Sequence, residues 1–301
     1  MASALDTISH QTSFVRSPYF LELMERGSRY LENGWALNLM GPSGVGKTSL
    51  ARILAQDLKI PTQFVQGHSE MSVTDLVGGY QGYRYHKVVD NFIRDVLKVD
   101  QRVQSHWTEG WLSQAVKYGH AVVFDEFNRA PFEIQSVFLA ILQEHVLPIS
   151  KVGHNQIIPV HPNFRLILTC GLPDQVGTYP ILEGLWDRII TVSMDTLDEE
   201  SEILIVATHS QLPQEESVRI VHLIRHVRQQ NSSSRRQKSS PPLSSPSIRI
   251  GVILALLLKA EGWSLVHKKY PVSFPQIIKD ILGPFNRVTL KEIEDFLNKK
   301  D

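Results

Sequence analysis

Residues 36–50 read ALNLMGPSGVGKTSL. Ala36–Met40 is an apolar run of strand length, and Gly41–Thr48, GPSGVGKT, fits the pattern G-x-x-x-x-G-K-[ST]. TSLARILAQDL then carries helical apolar spacing and stops near Pro61. A strand, a glycine-rich turn and a helix N-terminus in that order make a phosphate cradle. Glycines let backbone N–H groups curl around phosphate oxygens, and the helix end adds its positive dipole. The predicted contacts are Gly41, Pro42, Ser43, Gly44, Val45, Gly46, Lys47, Thr48 and Ser49. Lys47 reaches the β- and γ-phosphates, and Thr48 can ligate Mg²⁺.

Outward from the loop, apolar runs alternate with helical patterns. TQFVQ, AVVFDE (Ala121–Glu126), FRLILTC and IITVSM read as strands. PFEIQSVFLAILQEH reads as a helix opened by Pro131, and VLPISKVGHNQIIPV as a hairpin. KVVDNFIRDVLKV, WTEGWLSQAVKYG and ILEGLWDRI also read as helices. Strands alternating with helices predict an α/β fold with a parallel sheet covered on both faces. Beyond Asp195 only helical patterns remain, ending with LKEIEDFLNKK. The expected division is an α/β domain over residues 1–194 and a helical lid over 195–301. Asn231–Ser247, NSSSRRQKSSPPLSSPS, is too polar to bury a core and is expected to be a mobile loop in the lid.

Composition narrows the function. The hydrophobic fraction is 42%, and Lys+Arg and Asp+Glu both number 31, so the basic excess of a nucleic-acid binder is missing. The single cysteine, Cys170, rules out an internal disulfide and fits a reducing, cytoplasmic setting. The N-terminus lacks the pattern of a secretory signal. Ile250–Leu258, the longest apolar run, falls far short of the ~20 residues of a membrane helix. It reads as a buried helix.

VVFDEFNRAP supplies the second half of a nucleotide site. Asp125 at a strand end can hold Mg²⁺ through water, and Glu126 can orient or deprotonate the attacking water. A GTPase would need N-K-x-D after a strand and a D-x-x-G loop. Both strings occur, as Asn298–Asp301 and Asp75–Gly78, but the first ends a polar helix with no strand before it. His222 and His226 stand one helical turn apart without a third ligand, and read as lid surface. Tyr80, Tyr83 and Tyr85 flank Arg84 and read as packing or an interface.

Taken together, GPSGVGKT, TDLVGG, VVFDEFNRAPFEIQSVFLAILQE and GTYPILEGLWDRI resemble the AAA+ ATPases of the MoxR branch. Within that branch, GYRYHKVVDNFIRDVLKVDQ resembles the gas-vesicle protein N family, ATPases encoded with gas-vesicle shell proteins. The resemblance implies a five-stranded sheet in order 5-1-4-3-2, a helical lid, and ring oligomers, expected as hexamers, with ATP between subunits. It implies ATP and Mg²⁺ as cofactors. It places Arg188 as a finger reaching the neighbouring subunit's site and Arg249 as a lid arginine sensing nucleotide. The family's asparagine after the fourth strand is missing here. Gly171 stands in its place in Thr169-Cys170-Gly171-Leu172, with Thr169 as the polar residue available to substitute in part.

The function expected is ATP hydrolysis, slow on account of Gly171, coupled to remodelling during gas-vesicle assembly. Shell or accessory proteins are the expected partners, and neither nucleic acid nor membrane is. The alternatives are a MoxR-type chaperone acting on another complex and a nucleotide-binding scaffold that scarcely hydrolyses.

Overall fold

The computed structural model describes residues 14–89, 99–151, 154–173, 177–234, 245–261, 274–282 and 285. In chain order they form α1 (Pro18–Glu32), β1 (Ala36–Met40), α2 (Lys47–Asp57), β2 (Thr62–Gln66), α3 (Val73–Val77), β3 (Gly78–Val89) and β4 (Val99–Glu109). Next come α4 (Trp111–Tyr118), β5 (Ala121–Asp125), a 3-10 turn at Phe127–Arg129, α5 (Phe132–Glu144), β6 (Val146–Lys151), β7 (His154–Pro159) and β8 (Arg165–Cys170). The rest are α6 (Glu183–Trp186), β9 (Ile189–Ser193), α7 (Glu199–Ser210), α8 (Gln214–Ser234), α9 (Ile248–Glu261) and α10 (Phe274–Leu282).

The chain divides into two compact units. One, the sheet unit, holds Arg26–Gly41 and Lys47–Ser193; the other, the helical unit, holds Met1–Glu25, Pro42–Gly46 and Met194–Asp301. The N-terminal segment and the middle of the glycine loop thus group with the C-terminal helices.

In the sheet unit five strands pair in the order β2-β5-β8-β1-β9, all parallel. Counted among themselves from the β9 edge, they run 5-1-4-3-2. The central strands are mostly apolar because helices cover both faces; the buried Asn38 of β1 is the exception at mid-strand, and its Nδ2 donates to the Thr191 hydroxyl at 3.2 Å. Ala121–Phe124, Leu166–Cys170 and Ala36–Leu39 are all buried. Register puts Leu37 opposite Ile167 on one side and Ile190 on the other. Val123 faces the same Ile167 from β5. Each fully buried aliphatic of this kind contributes ~1.5–3 kcal/mol.

The edge strand β2 is barer. Phe64 is 47% exposed there, with the Arg52 guanidinium 5.1 Å above its ring. Beneath the end of β5, Phe124, Phe127 and Phe138 meet edge to face, with centroids 5.2–5.5 Å apart. Such pairs each add about 0.5–1.5 kcal/mol beyond their burial. Phe127 therefore anchors the turn that follows Asp125.

In the helical unit α7, α8 and α9 bury Val206, Ile220, Ile224, Val227, Leu254 and Leu258. The Asp198 carboxylate caps α7 by accepting from the Ser201 N–H at 3.0 Å.

The hairpin expected over 146–160 is present as β6 and β7, antiparallel. The helix expected over Lys87–Val99 is not. Lys87–Val89 end β3, Val99 begins β4, and the two strands pair antiparallel from Gly78↔Glu109 to Val89↔Val99. The residues between, 90–98, lie outside those described. Tyr80, Tyr83, Tyr85, Val88, Val89, Val99 and Val103 are aromatic or β-branched types that favour strands, and pairing between these two consecutive segments outweighs the local helical spacing. Trp107–Glu109 likewise belong to β4, so the next helix starts only at Trp111. Tyr80 packs edge to face on Trp107 at 5.2 Å.

The loop expected over 231–247 begins later than its polar composition suggests, because Asn231–Ser234 continue α8. Residues 235–244 of that stretch, and the helical pattern over 290–300, lie outside the described residues. Asp75 of the D-x-x-G string sits in α3, where it and Ser72 form a capping box. Its carboxylate accepts from the Ser72 N–H at 2.9 Å and from the Ser72 hydroxyl at 2.7 Å. That employment leaves the GTPase reading without its loop. The other string, at 298–301, lies outside the described residues. His222 Nε2 meets Glu199 at 2.9 Å, and His226 meets Gln230 at 3.0 Å, each on the surface of the helical unit.

Candidate nucleotide site

Two neighbouring strand ends build the sheet unit's part of the site. Because β5 and β8 run parallel with Phe124 opposite Leu168, Asp125 and Thr169 emerge together at the same sheet edge. The Thr169 hydroxyl donates to Asp125 Oδ1 at 2.5 Å and accepts the Glu126 N–H at 2.9 Å. From α2, the Thr48 hydroxyl reaches the same carboxylate, 2.8 Å from Oδ1 and 3.0 Å from Oδ2. Lys47 Nζ donates to the Gly41 carbonyl at 2.8 Å, and the Gly41 N–H donates to the Cys170 carbonyl. The predicted residues Gly41, Lys47, Thr48, Asp125, Glu126 and Thr169 are thus brought together.

Glu126 has φ 54° and ψ 42°, the left-handed region that costs a non-glycine residue roughly 1–2 kcal/mol. The turn is locked by the buried Phe127 behind it. It is also locked by Gly67, whose N–H donates to the Asp125 carbonyl at 2.7 Å. A Cβ on Gly67 would stand 2.4 Å from the Glu126 carbonyl oxygen, so only glycine fits. The Glu126 carboxylate has partners that sequence reading did not supply. Arg129 Nε stands 3.2 Å from Oε2, and Gln66 Nε2 donates to the same oxygen at 3.4 Å. Both contacts face a pocket of about 630 Å³ that His68 and Tyr179 also line. Arg129 follows Glu126 by one helical turn, which was a readable spacing. Gln66 required knowing that β2 lies beside β5.

Gly171 is fixed through its backbone. Its N–H donates to Asn128 Oδ1 at 3.3 Å, and Asn128 Nδ2 donates back to its carbonyl at 3.5 Å. Next to it, burial pushes the Cys170 thiol up to about 12, so it stays protonated at neutral pH.

In the helical unit, Gly44 and Gly46 of the loop have φ of 82° and 95°. A Cβ at Gly44 would stand 2.3 Å from Ser247 Cβ, and one at Gly46 would stand 2.9 Å from the Phe20 ring. Arg249 is exposed in the first turn of α9. In the sheet unit, Arg188 Nη1 donates to the Gly184 carbonyl at 2.6 Å.

These residues suit the implied groups. Glycines in left-handed turns leave backbone amides free of side-chain cover, as a phosphate requires. Thr48 and Asp125 present hydroxyl and carboxylate oxygens side by side, the hard donors Mg²⁺ prefers.

The AAA domain (dynein-related subfamily) matches residues 36–189. The gas vesicle ATPase GvpN of Ancylobacter aquaticus is 31% identical over 253 residues, which cover 84% of this chain and 68% of that one. GvpN1 of Halobacterium salinarum is 32% identical over 224 residues, 74% of this chain and 65% of that one. The chain therefore spans about two thirds of the length of these relatives. Among solved structures, a RuvB point mutant of Thermogota maritima superposes with a TM-score of 0.53 at 13% identity, covering 93% of this chain and 72% of that one. That likeness bears on the fold alone. The chain belongs to the MoxR branch of the AAA+ ATPases and, within it, to the family of the gas vesicle ATPase GvpN.

Proposed function

We propose that the chain hydrolyses ATP with Mg²⁺, as a cytoplasmic ring oligomer, and uses the cycle to remodel shell or accessory proteins during gas-vesicle assembly. In this reading residues 1–194 form the α/β domain and 195–301 the lid. The observation that carries it is the meeting of Thr48, Asp125, Thr169 and the Glu126 backbone in one hydrogen-bonded group. The gas-vesicle role rests on the GvpN relatives. Among the described residues no helix is long and apolar enough to cross a membrane.

Bound MgATP supplies a γ-phosphorus whose negative surroundings the metal partly neutralises. The amides of Gly41–Gly46, with Ser49 at the helix start, bind phosphate oxygens. Lys47 exchanges the Gly41 carbonyl for phosphate and lends its charge. Thr48 and Asp125 hold the cation, and Thr169 keeps Asp125 aimed. Glu126 orients the attacking water and takes its proton as the bond to the ADP oxygen breaks. Arg188, by resemblance, serves the neighbouring subunit's site, and Arg249 reports nucleotide to the lid.

A second reading, a nucleotide-binding subunit that scarcely hydrolyses, is favoured by two observations. Glu126 is engaged by Arg129 and Gln66, and Gly171 offers no side chain to the water. Steady-state phosphate release separates the two readings. Lys47→Ala should abolish nucleotide binding in a folded chain. Arg188→Ala should bind ATP and lose turnover by about 10³-fold or more. Mixing the two variants should restore activity, because one contributes the finger and the other the pocket. Mixed oligomers that remain inactive would remove the role in trans. Deletion in the source organism, scored by buoyancy and electron microscopy, tests the assembly role; normal vesicles would end it and leave the ATPase intact.

A further inference from the structure

Glu202 in α7 is a carboxylate with 1% of its surface exposed, in a helical unit where a buried charge is costly unless fully paired. Its Oε2 accepts from Arg225 Nε at 2.7 Å and its Oε1 from Arg228 Nη1 at 2.5 Å. Arg225 also donates to the Leu197 carbonyl, which ties the cluster to the entry of α7. Arg228 does something different. Its Nε donates to the carbonyl of Pro246 at 2.7 Å, in the segment that leads into α9. Pro246 is buried, and the next residue, Ser247, is the one that would meet a Cβ on Gly44 of the phosphate loop at 2.3 Å. The Ser247 carbonyl then accepts the Ile250 N–H at 3.0 Å, starting the turn of α9 that carries Arg249. A continuous path runs from a buried acid through one guanidinium to the backbone that rests on the phosphate loop.

We propose that Arg228, held by Glu202, is a positioning residue for nucleotide binding. It sets residues 246–249 against the loop segment Pro42–Gly46, and so fixes the shape in which the loop meets phosphate. A planar fork can serve Glu202 and Pro246 together; an ammonium cannot. The inference rests on the reading of Gly41–Thr48 as an ATP loop. It predicts a defect of uniform binding, with KM and Kd raised together and kcat little changed.

The test uses the full chain, MgATP as the probe, calorimetry, steady-state phosphate release and thermal melting. Arg228→Lys keeps the ion pair and loses the second contact. It should raise the Kd for MgATP about 2- to 30-fold, the range found for residues coupled to a site without touching the ligand. Ser247→Gly, which removes the side chain lying on Gly44 without touching the buried cluster, should weaken binding in the same range. Because the two act on one path, the double variant should bind no worse than the weaker single one. Arg228→Lys that melts earlier yet binds MgATP as the wild type does would overturn the proposal, leaving Arg228 purely structural. Independent, multiplying effects of the two substitutions would also overturn it. Should Arg228→Lys fail to fold, Ser247→Gly decides alone, and unchanged affinity there overturns the proposal. A wild-type chain that binds no MgATP instead overturns the ATPase reading, and this inference with it.

Discussion

β5 and β8 lie side by side, are buried alike, and finish at the same edge of the sheet, yet they deliver opposite things. β5 ends in two carboxylates, Asp125 and Glu126. β8 ends in a hydroxyl that donates to one acid and accepts the other's N–H, then a protonated thiol, then a residue with no side chain. The difference divides the labour. In the proposed mechanism the groups that would touch metal and water sit on β5, and the groups that would aim them sit on β8. Thr169 has both its proton and a lone pair committed to the neighbouring chain end, so in the proposed mechanism it would act through Asp125 and Glu126. The water-holding side chain that the resemblance expects at Gly171 would then have no substitute on β8.

Breaking the acid side should cost most. Glu126→Gln should retain nucleotide affinity and slow turnover by about 10²- to 10⁴-fold, the usual worth of a general base, in single-turnover assays. Breaking the aiming side should cost less. Thr169→Val removes the hydroxyl between the two acids, and displacement near 1 Å can cost about a hundredfold. Thr169→Ser should restore most of that rate. A valine variant with full activity would collapse the distinction between the two strands.

Adding to the β8 side should help modestly. Gly171 is not among the glycines with left-handed φ, so asparagine can stand there without backbone strain. One added net hydrogen bond of 0.5–1.5 kcal/mol corresponds to turnover roughly 2- to 12-fold faster in steady state. A fast wild type indifferent to Gly171→Asn would show that this position is not needed. The smallest effect belongs to the pair at the side chain of Glu126. Arg129 and Glu126 are 49% and 37% exposed, and such pairs are worth about 0–1 kcal/mol. Arg129→Ala should therefore raise basal turnover by at most about fivefold.

The sheet was readable because its central strands are mostly apolar, Asn38 and Thr169 apart, and chemistry clusters at their ends in sequence-adjacent residues. Gly41–Thr48 and Asp125–Glu126 announce themselves that way. What joins them does not. Thr169 meets Asp125 only because β5 and β8 are neighbours, and Gln66 meets Glu126 only because β2 flanks β5. Phe127 and Gly67 hold Glu126 in a conformation that no local preference of glutamate would select. The β3–β4 pair was misread for the converse reason. KVVDNFIRDVLKV has helical spacing, yet its two ends pair with each other, Val89 with Val99, in an antiparallel pair whose strands run on to Gly78 and Glu109, and a period read along one segment does not register pairing across it. Helix α1 was not read at all. Its buried Phe20, Leu23, Met24, Gly27 and Leu31 nevertheless fall at helical spacing, a local signal that was available.

Among the described residues Thr62–Gln66 pairs on one side only, with β5, which is synthesised long after it. Until β5 arrives, and on the open side ever after, TQFVQ is an uncharged, β-prone ribbon that an unrelated chain could extend. The guanidinium of Arg52 over the half-exposed Phe64 ring puts a positive charge on the face of this edge strand, where added sheets would stack. Arg52→Ala is therefore expected to enlarge the insoluble fraction in crowded expression, with turnover in the soluble fraction untouched.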